Sequence, residues 1–476
     1  MNSKFRINST NHAEVERKIS SPAYYRRYLV MLVISVFSLG TITAQPAPVE
    51  LSLKDALTYA LKANQNARKA RLDEENSQYE IDEVRSRALP QVNGSGALNY
   101  SPILQLSAIP GELFGGAPGT STLVAFGQKW NANLGLSFSQ TLFDHSVFTG
   151  LKAAKTTKEF YRLNSKLTEE QIIEQVATNY YRVLVQRQQV GVVDSTIRNT
   201  VKLQQVLQGL FDNGLAKKID VDRVAVNVSN LRSKRQQLLN AVSLQENQLK
   251  FLMGMPIETL IHIPTVNLTA INPQAVPKDD TLDVSGRTEV KVLTTQQSLL
   301  EYQRQATKGE YFPSLGFSGN YSYQGLGNNF PVFKGKSSGV NWFDVASLGV
   351  TLRVPIFNGL ATKARLKQAD VSIRKLNEDI SSTKLSLSLA YENARTQTNN
   401  SIITLDNSKE NVELAQQVYL NTQNNYNNGL APLTDLLTAE NSLTEAQNNY
   451  SAALLDYRVA EIQVIKAQGR LKSLLN

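Results

Sequence analysis

Phe211-Asp-Asn-Gly-Leu-Ala-Lys-Lys-Ile-Asp220 returns 215 positions later as Tyr426-Asn-Asn-Gly-Leu-Ala-Pro-Leu-Thr-Asp435. In both copies Asn-Gly supplies residues that tolerate positive φ, so a helix can stop and reverse there. Leu89-Pro90-Gln-Val-Asn-Gly-Ser-Gly96 aligns with Phe312-Pro313-Ser-Leu-Gly-Phe-Ser-Gly319, and Leu134-Gly-Leu-Ser-Phe138 with Leu348-Gly-Val-Thr-Leu352. The pieces keep their order in both halves, so one structural unit is duplicated.

Outward from the second turn, residues 360–428 contain neither Gly nor Pro, and Ile373, Leu376, Ile380, Leu387, Tyr391 and Ala394 recur at spacings of three, four and seven. This predicts a helix roughly 100 Å long at ~1.5 Å per residue. Its copy runs from about Ser146 to Phe211, and neither can be the core of a globule. Shorter helices are expected over about 52–88, opened by a Ser52 cap and stopped by Pro90, and over 219–253, 287–311 and 434–472. Stacked end to end in pairs, the short helices match the long ones in length. Each half then makes one hairpin folded at its Asn-Gly-Leu-Ala turn.

Strands are expected at the opposite end. Trp130, Ala132, Leu134, Leu136 and Phe138 alternate with Asn131, Asn133, Gly135, Ser137 and Ser139. The same period of two recurs in Leu315, Phe317, Tyr321 and Tyr323, and in Leu348, Val350, Leu352, Val354 and Ile356. It is weaker in Val92 to Tyr100, where Gly94 and Gly96 occupy the apolar side. Such alternation suits a half-buried sheet packed on helices. It also suits a membrane barrel, and two details favour the barrel: the polar face is small and nearly uncharged, and the strands approach the ten residues a tilted crossing needs. Tyr100, Trp130, Phe143, Tyr323 and Phe357 are candidates for interfacial girdles.

The 476 residues contain no apolar run long enough to cross a bilayer as a helix. The one concentrated apolar stretch, Leu29 to Leu39, follows Arg26-Arg27 and predicts a signal peptide over 1–44, cut near Thr43-Ala44-Gln45 despite the large Ile42. With no cysteine there is no disulfide, thiolate metal site or lipidated N-terminal cysteine. Of the net charge of +9, residues 1–44 carry four through six Lys/Arg against two Asp/Glu, which leaves +5 without a basic cluster. Nucleic acid is therefore not an expected partner.

Four membrane strands cannot close a barrel, and open edges in lipid leave backbone groups unpaired. Two copies give eight strands around a filled interior, and three give twelve around a beginning lumen. A trimer is the smallest assembly able to conduct anything sizeable.

The chain resembles the TolC-like outer membrane efflux protein family over about residues 50–472. The resemblance is carried by Leu51-Ser-Leu-Lys-Asp-Ala-Leu57 with Ala60 and Asn64, by the helix-to-strand junctions at 89–90 and 312–313, and by the paired turns followed by Asp220 and Asp435. It implies a fold mainly of α-helix with membrane β: very long, internally duplicated hairpins forming a periplasmic tunnel, and four strands per chain entering a twelve-stranded trimeric barrel in outer-membrane lipid. It further implies a passive duct serving a periplasmic adaptor (membrane fusion) protein and an inner-membrane efflux transporter, in efflux or type I secretion of small molecules, metal ions or proteins. The expected division is a first repeat over 45–254, a linker over 255–286 near the equator of the tube, and a second repeat over 287–476.

Two groups of residues are singled out. Asn213, Gly214, Leu215, Asn428, Gly429 and Leu430 form the tips. A turn alone explains the glycines, whereas the apolar leucines at exposed ends suit docking of an adaptor hairpin. By the family resemblance, Asp220 and Asp435 stand where carboxylates ring a narrow entrance, and Tyr426 matches a tyrosine of the gate. A carboxylate ring concentrates cations and repels anions. The same aspartates also suit the first turn of a helix. Thr438 and Ala431 depart from the pattern, standing where relatives can carry an aspartate and an arginine.

No catalytic, cofactor or metal site is expected. His145 and His262 lie in no motif, Gly335-Lys336-Ser337 has Phe330 where a phosphate loop needs glycine, and Glu169-Glu170 reads as a solvated face. The competing expectation is an exported coiled-coil structural or adhesin-like protein with a small β head, which would need neither matched hairpin arms nor four strands with uncharged polar faces.

Overall fold

The computed structural model describes residues 49–264, 273–277 and 283–475. The expected signal peptide lies outside the described residues, as do 265–272 and 278–282 of the expected linker. The chain divides into two units. The smaller, which among the described residues comprises 49–50 and 258–262, pairs the two-residue strand β1 (Val49–Glu50) in parallel with β6 (Ile261–His262).

The larger unit begins with α1 (Leu53–Ala63) and α2 (Gln65–Ser86). The helix expected over 52–88 is thus two helices. Asn64 breaks it by leaving the helical region (φ −58°, ψ 132°) and accepting from the backbone N–H groups of Asn66 and Ala67 at 2.8 and 3.2 Å. Asparagine competes with helical backbone bonds in this way. Strand β2 (Gln91–Tyr100) follows, then β5 (Trp130–Phe143), α3 (His145–Asp212) and α4 (Lys218–Met253). The second half repeats the order as α5 (Thr288–Gly309), β7 (Ser314–Gly327), β8 (Val340–Arg353), α6 (Ala361–Asn427) and α7 (Leu433–Ala467). The loop between β2 and β5 carries a further hairpin, β3 (Leu106–Pro110) with β4 (Ser121–Ala125), which its weak alternation did not announce.

The sheet runs β2-β5-β7-β8, antiparallel throughout. Register gathers the apolar positions on one face: Leu134 stands opposite Gly96 and Tyr323, and Phe317 opposite Val350. Glycines on that face receive large neighbours, as at Gly325, where a Cβ would lie 2.7 Å from the Trp342 ring. Strand β8 differs from expectation at both ends. It ends at Arg353, because Pro355 offers no N–H to the ladder, so Val354 and Ile356 lie outside it. It begins at Val340, which places Asp344 opposite Tyr323 on the apolar face. Aromatic rings collect at the loop end of the sheet. Tyr100 meets Trp130 at 4.6 Å, Trp130 meets Phe330 edge-on at 5.1 Å, and Tyr323 stacks on Trp342 at 4.9 Å. At the helical end Phe143 lies 6.2 Å from Phe148. Phe357 is exposed and past the strand.

The helices repeat the order of the strands. α3 packs against α2 and α4 on one side and against α5 and α7 on the other, and α6 packs against α5 and α7. The helices continue the strand columns: α2, with α4 beyond it, below β2; α3 below β5; α5, with α7 beyond it, below β7; α6 below β8. The column edges are therefore the same in both layers, β2 with α2 and α4 at one side, β8 with α6 at the other.

Each short-helix pair meets end to end through the same device. α4 ends at Gly254, whose φ of +71° brings it so close to α1 that a Cβ would sit 2.6 Å from the Ala63 carbonyl oxygen. Asn64, at the start of α2, donates from Nδ2 to Leu252 O of α4 at 2.7 Å. In the second half Gly469 follows α7 with φ +71°, and Arg287, at the start of α5, donates from Nη1 to Lys466 O. Asn64 satisfies a last-turn carbonyl that has no partner within its own helix, whereas Lys466 O also accepts from Gly469 N at 2.8 Å. A stretch of the segment between the halves is bonded to α6: Val276 N donates to Asn399 Oδ1 at 3.0 Å, and Asn399 Nδ2 to Val276 O at 3.3 Å.

Candidate functional site at the hairpin tips

The two tips are built alike, bond for bond. Helix α3 closes with Leu215 N donating to Leu210 O at 2.7 Å and Gly214 N to Phe211 O at 2.8 Å. Helix α6 closes with Leu430 N to Asn425 O at 2.8 Å and Gly429 N to Tyr426 O at 3.0 Å. Gly214 and Gly429 share φ +74°. Asn213 Nδ2 donates to Gly209 O at 2.7 Å and Asn428 Nδ2 to Asn424 O at 2.8 Å, which caps each helix with its own side chain. A Cβ on either glycine would meet nothing within 4 Å, so the backbone angle alone requires glycine there. Leu215 and Leu430 are 76% and 78% exposed, the apolar points of otherwise polar ends.

Immediately behind the tips the two hairpins join. Leu207 of α3, Val221, Val224 and Val228 of α4, and Leu433 and Leu437 of α7 form one buried cluster, with Tyr426 packed against it. Asp220 and Asp435 each stand in the first turn of their helices, where the helix N-terminus favours a negative charge. Burial, and after it the Asp220 carboxylate, raises the Tyr426 phenol above its ordinary value, so these two expected gate residues share a neighbourhood. The aspartates differ in one respect. Arg223 lies 3.4 Å from Asp220, whereas among the described residues no cation pairs with Asp435, whose Oδ1 accepts from Thr434 at 3.4 Å. Arg223 has Thr438 as its counterpart 215 positions on, and Thr438 Oγ1 donates to Thr434 O at 2.8 Å instead.

Two buried carboxylates escaped the sequence reading. Glu170 is buried and accepts from Thr288 Oγ1 of α5 at 2.9 Å, so it joins the halves rather than lying on a solvated face. Glu440 of α7 is 6% exposed and meets Thr200 of α3, itself fully buried, at 3.0 and 3.1 Å. Thr196 and Thr444 meet at 3.1 Å one turn further from the tips. The available signal was a mismatch in the duplication, since the position matching Glu440 in the first half is Ala225.

The sequence matches the family model described as outer membrane efflux protein over residues 56–255 and 285–470. The chain belongs to the outer membrane efflux protein family. Its place is accordingly the outer membrane. Outer membrane protein TolC of Vibrio cholerae is 22% identical over 393 residues, covering 82% of this chain and 84% of that protein. Alkaline protease secretion protein AprF of Pseudomonas aeruginosa is 22% identical over 336 residues, covering 68% and 67%. Among solved structures, the outer membrane protein VceC of Vibrio cholerae superposes with a TM-score of 0.67 at 16% identity, over 88% of this chain and 96% of that one. CusC does so with 0.70 at 17% identity, over 91% and 96%. These structures share the fold of long helices and few strands.

Proposed function

We propose that three copies of this chain form a passive duct of a tripartite efflux or type I secretion system, joined to a periplasmic adaptor and an inner-membrane transporter that supplies the energy. The observation that carries this reading is the shared column order. A sheet edge left open in lipid and a helix layer left open on the same side call for one remedy, another copy placed β8 to β2 and α6 to α4. Both helical edges have an apolar stripe for this contact. On α6 the exposed Leu385, Leu389, Ile403, Leu414 and Val418 fall within one face at ~100° per residue, and on α4 so do Val226, Leu244 and Phe251.

Substrates are small molecules, metal ions or proteins as the transporter selects, because a wide shared duct carries what enters it. One relative's name, a protease secretion protein, supports the export of proteins. The tips dock the adaptor through Leu215 and Leu430, while Asp220, Asp435 and Tyr426 form the gate. The expected result in a deletion strain is accumulation of at least one class in a panel of dyes, metal salts and secreted proteins, reversed by the intact gene. Unchanged export of the whole panel would overturn the reading.

A further inference from the structure

Glu440 is a buried carboxylate at the seam between the two hairpins of one chain, one turn above the apolar cluster that joins their tips. The groups facing it are Thr200 on α3 and, on α6, the Tyr419 phenol, raised by burial and then by the Glu440 carboxylate. Tyr419 accepts from Gln423 Nε2 at 3.2 Å. On its own helix Thr444 Oγ1 donates to the Glu440 backbone carbonyl at 2.9 Å. Among the described residues no cation lies within ion-pair distance of the carboxylate.

The proton count is decisive. Thr200 Oγ1 lies 2.8 Å from Thr196 O and 3.0 and 3.1 Å from the two Glu440 oxygens, yet it has one hydrogen to give. If Glu440 is protonated, it donates to Thr200 Oγ1 and Thr200 donates to Thr196 O. If Glu440 is charged, the carboxylate has a single hydroxyl donor in a site nearly closed to water, and such a charge is costly. The matching positions, Ala225 for Glu440 and Ala415 for Thr200, have no ionisable group. In a ring of copies those alanines would lie at the seam between chains, so only the seam within each chain would respond to protons.

We propose that Glu440 and Thr200 form an ionisable latch that holds the two hairpins of one chain together behind the tips and releases them when the carboxylate is charged. Burial lifts the carboxyl from 4.5 to about 7, against a smaller lowering by the Thr200 hydrogen bond. Parting the hairpins returns it toward its ordinary value. The joined state binds the proton more tightly, so the latch is complete below about 4.5 and weakens by up to about tenfold per pH unit as pH rises to about 7. Above that it stays at its weakest. The inference rests on the duct reading only for its consequence, an entrance that loosens toward neutral and alkaline pH.

The absence of cysteine allows spin labels at Leu215→Cys and Leu430→Cys in the full chain, reconstituted in lipid, with distances read by pulsed electron resonance between pH 5.5 and 8.5. The expected result is at least a tenfold rise in the ratio of separated to joined tips. Glu440→Gln, added to the labelled chain, is expected to show joined tips at every pH, and Glu440→Ala, which has no latch, tip distances that do not change with pH. Distances that ignore pH, or that respond equally in the Glu440 variants, overturn the latch. Conductance in planar bilayers tests the duct separately. A conducting protein with unresponsive tips loses only the latch, and a non-conducting one with responsive tips loses only the duct.

Discussion

Helices α3 and α6 are copies of one element, 68 and 67 residues long, with the same tip, yet they occupy different surroundings. α3 buries seventeen residues and has helices on both sides; α6 buries seven and has neighbours on one. Duplication made the elements equivalent, and position in the column order made them different. What α3 obtains from its own chain, α6 would obtain in the proposed assembly from another copy. Equal sequence periodicity therefore says little about which helix is interior within one chain and which is interior only in the assembly.

The comparison breaks most sharply under a charge. Val176→Asp on α3 buries an unpaired carboxylate in the chain's own core and is expected to cost several kcal/mol, enough to prevent folding. Leu389→Asp on α6, at an exposed position, is expected to leave the helical content intact and abolish the trimer. Circular dichroism with analytical ultracentrifugation separates the two results; a trimeric Leu389→Asp protein would erase the distinction.

The two end-to-end junctions come next. Arg287 is buried, bonded to Lys466 O, and paired with Glu289 at 2.7 Å. Arg287→Ala strands the glutamate and is expected to cost about 3 kcal/mol. Asn64→Ala loses a cap and one bond to Leu252 O, about 1–2 kcal/mol. Denaturant midpoints of the two variants should fall in that order, and the reverse order would show that the junctions are not held as described.

The tips should respond almost equally. Gly214→Val and Gly429→Val each force a β-branched residue to φ +74° at about 1–2 kcal/mol, with no added clash. Both are expected to leave the trimer in the membrane and stop export; unchanged export would remove the docking role of the turns. The smallest effect is assigned to Arg223→Ala, which frees Asp220 to resemble Asp435. An exposed pair contributes under about 1 kcal/mol, so stability should hold while cation preference in reversal-potential measurements rises.

The repeats, the long helices, the turns and the strands were legible because each has a period or a breaker in the sequence. The break at Asn64 was not, since a single polar residue in a polar stretch interrupts no period. The extension of β8 was hidden by Phe343 and Asp344, which reverse the expected alternation, and Asp344 is tolerable only near the aromatic rings at the strand's outer end. The tip residues were legible as a copied motif. Arg223 beside Asp220 and Thr200 beside Glu440 depend on side-chain packing, and the second pair lies 240 positions apart in sequence.

The central claim is that both open edges of the chain are closed by further copies in the outer membrane. Native mass spectrometry of the detergent-extracted outer-membrane fraction, paired with a gel run before and after heating, tests it directly. The expected result is a complex of three mature chains that heating converts to the single chain; a water-soluble monomer recovered from the periplasm would contradict it.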